Sequence, residues 1–214
     1  LLTPKMHDIV TDALGLVVGT VAVLTATAIA SPKLSETLGS GRPVLILLFS
    51  MILGGIIGTA LRIEDRIENL GDRVKARFSS EGDSTFTQGF VTASLLFCVG
   101  AMSILGPINE GLGQGNEMLL LKSALDFFGA MAAAFGWGVA FSAVSAGIYQ
   151  GIFTLVGVLL GNVLSETQVL MLSAVGGLTI LCIAINFLKV RQTPIPLGNF
   201  LPALVIAPIL VSLL

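Results

Sequence analysis

The chain has 214 residues, of which 54% are hydrophobic and only 11% charged, with a formal net charge of −2. A soluble domain carries about 25% charged residues, and a mean hydropathy of +0.96 makes lipid rather than water the main solvent. A water-soluble domain is thereby excluded, and nothing in the charge balance implies a nucleic-acid partner.

Six intervals contain no Asp, Glu, Lys or Arg: 13–32, 43–61, 84–109, 127–165, 167–188 and 192–214. A bilayer span needs about 20 largely apolar residues, so five of them fit one helix each. The interval 127–165, extended back to Met118, is too long for one helix at about 1.5 Å per residue, and it is split near Gly136-Trp137-Gly138. The expected fold is all-α, a polytopic transmembrane helical bundle of about seven spans forming one domain over 1–214.

The chain opens abruptly on "LLTPKMHD", where Thr3 can cap a helix and Pro4 can sit in its first turn, so further residues are expected before Leu1. His7 is the one histidine, near this helix start; alone it builds no metal site. Asp12 lies two turns into the helix, and a structural partner is the favoured reading. In the first two spans Gly15-xxx-Gly19 and Gly54-xxx-Gly58 allow helix backbones to approach closely.

After Leu61 comes "RIEDRIENLGDRVKARF", 62–78. Ile63, Ile67, Leu70 and Val74 form one apolar stripe on an otherwise charged helix, expected to lie on the membrane, on neighbouring helices or on a partner. "SSEGDST", 79–85, reads as a turn. The next span carries Thr92, Ser94 and Cys98; Cys98 and Cys182 both sit in apolar runs without disulfide or metal spacing.

Residues 119–131, "LLLKSALDFFGAM", place Lys122 and Asp126 one turn apart on one helix face inside an apolar run. An ionisable group near the bilayer centre costs about 2.5–3.5 kcal/mol on insertion scales, so it faces a partner, water or a pathway. Lys before acid is the weaker order for such a pair, and both an orienting ion pair and a solute, ion or proton site remain open. Tyr149 and Gln150, flanked by Gly147 and Gly151 in "SAGIYQG", join Asp126, Lys122, Asn186, Asn199, Thr92 and Ser94 as candidate pathway residues. Gly157-xxx-Gly161 is a third close-packing pair, and Pro202 and Pro208 can kink the last helix.

Two ungapped internal similarities suggest duplication. "VTDALGLVVG", 10–19, matches "VTASLLFCVG", 91–100, and "ILGGIIGTAL", 52–61, matches "LVGVLLGNVL", 155–164, in both glycines and the final Leu. With alternating helices, Lys5, Arg62, Arg66, Arg73, Lys75, Arg77, Lys189 and Arg191 fall on one membrane side, and only Lys33 and Arg42 on the other. The positive-inside rule then puts loops 62–85 and 189–194 in the cytoplasm and makes the repeated helix pairs inverted, a recurring transporter architecture.

No phosphate-binding loop, dinucleotide fingerprint, His-Glu-xx-His or Gly-x-Ser-x-Gly occurs. The reading is therefore no enzyme and no cofactor, with the lipid bilayer, a small solute or ion, and further copies of the chain as expected partners.

"GGIIGTALRIEDRIENLGD", "GFVTASLLFCVGAMSILGPI", "KSALDFF", "YQG" and "GNFLPALVIAPIL" together resemble the YqgA/YdfK-type family of uncharacterised bacterial inner-membrane proteins, domain-of-unknown-function family 554. The resemblance spans essentially the whole chain. It implies a multi-pass helical fold, a bacterial inner-membrane location and a further glycine-rich span before Leu1, and it lends no activity to Lys122, Asp126, Gln150, Asn186 or Asn199. The leading functional expectation is a gradient-driven transporter or channel; the alternative is a non-transporting scaffold or sensor whose 62–78 helix binds a partner.

Overall fold

The computed structural model describes residues 4–67, 69, 90, 93, 94, 97, 98, 101–113, 115–133 and 137–213, with no strand among them. The described residues include eight α-helices: α1 Pro4–Ala26, α2 Pro32–Leu38, α3 Arg42–Ala60, α4 Ala101–Gly111, α5 Glu117–Ala133, α6 Trp137–Val163, α7 Glu166–Phe187 and α8 Leu201–Leu213. The expected division near Gly136 falls on residues 134–136, and most of the 62–85 segment on 68 and 70–89; these lie outside the described residues. Residues 63–67 are helical.

Four helical stretches are long and apolar enough to cross a membrane: Asp8–Leu38, Arg42–Ala60, Gly138–Val163 and Glu166–Phe187. The apolar stretch Gly198–Leu213 is shorter, and α4 and α5 have 11 and 17 residues. About seven spans were expected; the described helices of spanning length number four.

The described residues fall into two compact units, Asp65–Val158 in the first and Thr3–Glu64 with Leu159–Leu214 in the second. The second is built from two antiparallel seams of small residues. Along α1 and α7, Gly15 meets Phe187 and Leu188, Gly19 meets Ala184, and Ala22 and Ala26 meet Gly177. Along α3 and α8, Gly54 lies on Ala203 and Gly58 on the Asn199 backbone. In lipid there is no hydrophobic force between apolar helices, so this close backbone approach supplies the attraction through dispersion. A cluster of Leu34, Leu38, Ile46, Met171, Val175, Ala203, Ala207 and Val211 fills the space between the seams.

Local signals set the helix ends. The turn between α2 and α3 uses Gly39 and Gly41 at φ +88° and +84°, a region L side chains avoid, and Pro32 and Pro43 sit in first turns, where no N–H is missed. α7 starts with a capping box: Ser165 Oγ accepts the Gln168 N–H at 3.3 Å and Gln168 Oε1 accepts the Ser165 N–H at 2.8 Å. It ends in a Schellman motif, Val190 N–H to Ile185 O and Lys189 N–H to Asn186 O. Lys189 takes the left-handed conformation usually held by glycine, and Arg62 does so after α3, both at φ +50°. A cation at a helix C-terminus meets the negative end of its dipole, which offsets part of that strain.

The second unit also sorts its charges. Lys189 pairs with Asp8 at 3.2 Å, so the start of α1 and the end of α7 share one end, while Lys33 pairs with Glu166 at the other. Because α8 follows α7 through residues 188–200 and runs against α3, with Gly58 on Asn199 and Gly54 on Ala203, Arg62 lies at the Lys189 end and Arg42 at the Lys33 end.

The first unit has its own close approaches. Gly157 on α6 lies against the Ile108 and Gly111 backbone of α4, and Gly111 against Thr154 and Val158. Asn109 Nδ2 donates to Met118 Sδ at 3.2 Å between α4 and α5. Gly161, aligned in sequence with Gly58, is exposed, so the two similar segments 52–61 and 155–164 pack differently.

Candidate functional site

α5 turns Met118, Leu121 and Lys122 inward and leaves Asp126 half-buried, as the three- and four-residue spacing of its inward face requires. Lys122 Nζ and Asp126 Oδ1 form an ion pair, with 8% and 22% of the two side chains exposed. The same ammonium sits 5.7 Å from the centroid of the Phe97 ring, where the negative face of the aromatic quadrupole attracts a cation. Lys122 is thus held by a carboxylate and a ring and is closed off, while its partner is open.

Asp126 opens into a cleft of about 570 Å³. Its walls are Ser123, Asp126 and Phe127 from α5, Phe97, and Val139, Ala140, Ala143, Ala146, Gly147 and Gln150 from α6. Small residues on α6 make the space: a Cβ on Gly147 would meet nothing within 4 Å. Ser123 donates its hydroxyl proton to the Leu119 carbonyl at 2.8 Å, so its oxygen remains an acceptor toward the cleft. Ser142, on the buried side of α6, donates to the Val139 carbonyl at 2.6 Å. The cleft is an apolar pocket with a few polar groups, the usual make-up of a small-molecule site.

Of the residues singled out in the sequence, Asp126 and Gln150 line the cleft and Lys122 backs it. Tyr149 is half-buried, its ring 5.0 Å from that of Phe153, and it is not among the lining residues. The Ser94 hydroxyl is buried without a hydrogen-bond partner among the described residues. Thr92 lies outside the described residues.

Asn186 and Asn199 belong to the second unit, and their amides serve backbone groups there. Asn186 Nδ2 donates to the Ile195 carbonyl at 3.0 Å and its Oδ1 accepts the Ile195 N–H at 2.8 Å, closing the loop after α7. Asn199 Oδ1 accepts the Glu64 N–H at 3.0 Å, and the Glu64 carboxylate accepts the Gly198 N–H in return. Removing such bonds leaves buried polar groups unpaired at about 1–3 kcal/mol. Asn186→Ala should therefore make the 188–197 loop more sensitive to limited proteolysis and lower the melting temperature in detergent; a cleavage rate equal to the parent's would show that the amide does not hold the loop.

Phe97 and Glu64 were not anticipated as partners. Phe97 lies in a uniformly apolar run and Glu64 in a charged one, so neither stands out by composition; only the long-range pairing shows their role.

The family model described as "Protein of unknown function (DUF554)" matches residues 1–212. Among curated proteins, the chain is 27% identical over 209 residues to the uncharacterized membrane protein YdfK of Bacillus subtilis (strain 168), covering 97% of this chain and 84% of that protein. It is 29% identical over 171 residues to the uncharacterized protein YqgA of Escherichia coli (strain K12), covering 77% and 71%. No solved structure matches.

Proposed function

The chain belongs to the DUF554 family of proteins of unknown function, and from that premise we propose that it is a multi-pass protein of the bacterial cytoplasmic membrane that moves a small solute or ion down a gradient. The observation that carries this reading is the asymmetry of the ion pair: Lys122 is sealed, whereas Asp126 faces a cleft large enough for a small molecule. A pair whose one task is to orient a helix has no need of that opening, and an intramembrane carboxylate facing a cavity marks a pathway more often than a scaffold.

The exposed apolar side chains of α3 and α6, among them Leu45, Phe49, Ile52, Ile148, Ile152 and Leu155, are suited to lipid. The end of the second unit that carries Lys5, Arg62, Lys189 and Arg191 is assigned to the cytoplasm by the positive-inside rule. An inverted duplication is part of this reading, supported by Gly54 and Gly157, which align in the repeat and both meet a neighbouring backbone.

The test is flux into proteoliposomes, followed as current and as radiotracer uptake, over a panel of inorganic ions, amino acids, amines and small anions. One ligand class should drive flux in the parent, and Asp126→Asn should reduce it at least tenfold. Silence in both readouts across the panel would remove the transport reading and leave the ion pair an orienting device in a non-transporting protein.

A further inference from the structure

We propose that the Asp126 cleft takes a small organic cation, an amine or ammonium with a compact apolar body; the proposal rests on reading this cleft as a solute site. The cleft-facing polar groups carry the argument. Asp126 brings the one formal charge among the lining residues, and it is negative. Ser123 has already donated its proton to Leu119 and offers only an acceptor. The Gln150 amide can present its carbonyl as readily as its N–H groups. Lys122, the cationic group that meets Asp126 among the described residues, is turned to Asp126 and the Phe97 ring and is not among the lining residues. Among the described lining residues an anion would meet a carboxylate and no positive charge.

The remaining walls decide between an organic and an inorganic cation. A protein site for Ca²⁺ takes about six to eight oxygen ligands, largely carboxylates and carbonyls, whereas the described lining side chains supply one carboxylate, one amide and one hydroxyl. Among the described residues no cluster of three or more His, Cys, Asp or Glu can hold a metal ion. Phe97, Phe127, Val139 and the alanines of α6 instead match an apolar substituent, and aromatic faces favour an ammonium group. A volume of about 570 Å³ falls within the range of small-molecule sites, about 300–1,000 Å³.

Lys122 has a defined place in this scheme. Its ammonium is the cation paired with Asp126, and an incoming amine competes with it for the same carboxylate. The two members of the pair then have opposite effects: loss of Asp126 weakens the ligand, and loss of Lys122 strengthens it. A purely structural pair predicts that both losses weaken binding alike.

The experiment uses three probes of one shape and different charge, benzylammonium, benzyl alcohol and phenylacetate, titrated calorimetrically into the purified full chain in detergent. Benzylammonium should bind at least tenfold more tightly than the other two. Asp126→Asn should abolish that preference, and Lys122→Met should raise benzylammonium affinity severalfold. Because either change leaves a charge unpaired and can prevent folding, Gly147→Leu and Gln150→Leu complete the set. Gly147→Leu grows into open space, so it should fold and block the cleft, while Gln150→Leu should weaken benzylammonium at least threefold. Equal or tighter binding of phenylacetate, equal binding of benzyl alcohol, no binding of any probe, or benzylammonium affinity unchanged by Gly147→Leu would each overturn the proposal. The flux assay separates the two readings: Asp126-dependent flux of an anion would refute the cation class and keep transport, whereas amine binding without any flux would keep the site and refute transport.

Discussion

Gly58→Ala is expected to prevent the second unit from closing, while the same change at Gly147 leaves the protein at least as stable as the parent. A Cβ at residue 58 would overlap the carbonyl group of Asn199, and neither α3 nor the start of α8 can yield without opening the seam at Gly54 and Ala203 as well. Overpacking a core costs about 1–3 kcal/mol when side chains can adjust; here the obstacle is backbone, so a loss of about 3 kcal/mol or more is expected. The shift would also pull Asn199 from the Glu64 N–H. At Gly147 the added methyl meets nothing within 4 Å, and replacing a helical glycine by alanine gains up to about 1 kcal/mol. Fluorescence-detected gel filtration and thermal unfolding in detergent read both. A Gly58→Ala protein that stays monodisperse and melts with the parent would show that the α3–α8 approach is looser than described.

The second large effect is expected in a double-mutant cycle on Lys122 and Asp126. Removing one member of a buried pair leaves an uncompensated charge at about 3–5 kcal/mol, whereas replacing both is often neutral. Lys122→Met should lower stability by about 3 kcal/mol and Asp126→Asn by about 3–5 kcal/mol, and the double variant should recover most of that loss. Lys122, the more buried of the two, should be the costlier orphan, so Asp126→Asn is the more damaging single change. The cycle is read from unfolding transitions in the same detergent, with a coupling of at least about 2 kcal/mol expected. Additive losses would mean that the two charges are solvated independently and that the pair does not define the site.

Much of this was legible in one dimension. The absence of charge over long intervals fixes the solvent, and the four-residue spacing of Lys122 and Asp126 puts them on one face of α5 because a helix has a known period. Gly15, Gly19, Gly54, Gly58 and Gly157 of the glycine pairs lie against neighbouring segments, while Gly161 is exposed. What periodicity cannot carry is the identity of the partner. The seams of the second unit join residues 15–26 to 177–188 and 54–58 to 199–203, separations over which a single sequence holds no pattern. The same limit explains the amides: Asn186 and Asn199 looked like candidates for a pathway because an amide in hydrocarbon needs a partner, and the partners they hold are the backbone of a loop and of a helix start. Asp126 and Gln150 were both named, but their meeting across one cleft depends on how α5 and α6 lie against each other.

The order in which the second unit becomes available has a consequence for biogenesis. Its first part, up to Glu64, is synthesised before Asp65–Val158 of the first unit, and its second part, Leu159–Leu214, after that segment. At a translation rate of about 5–20 residues per second, α1 and α3 wait on the order of 5–20 s before α7 and α8 emerge. Throughout that interval the glycines of α1 and α3 lack the residues of 177–188 and 199–203 that they meet in the folded chain. While its middle third is being made, the chain therefore holds its first small-residue faces without the surfaces they meet in the folded second unit.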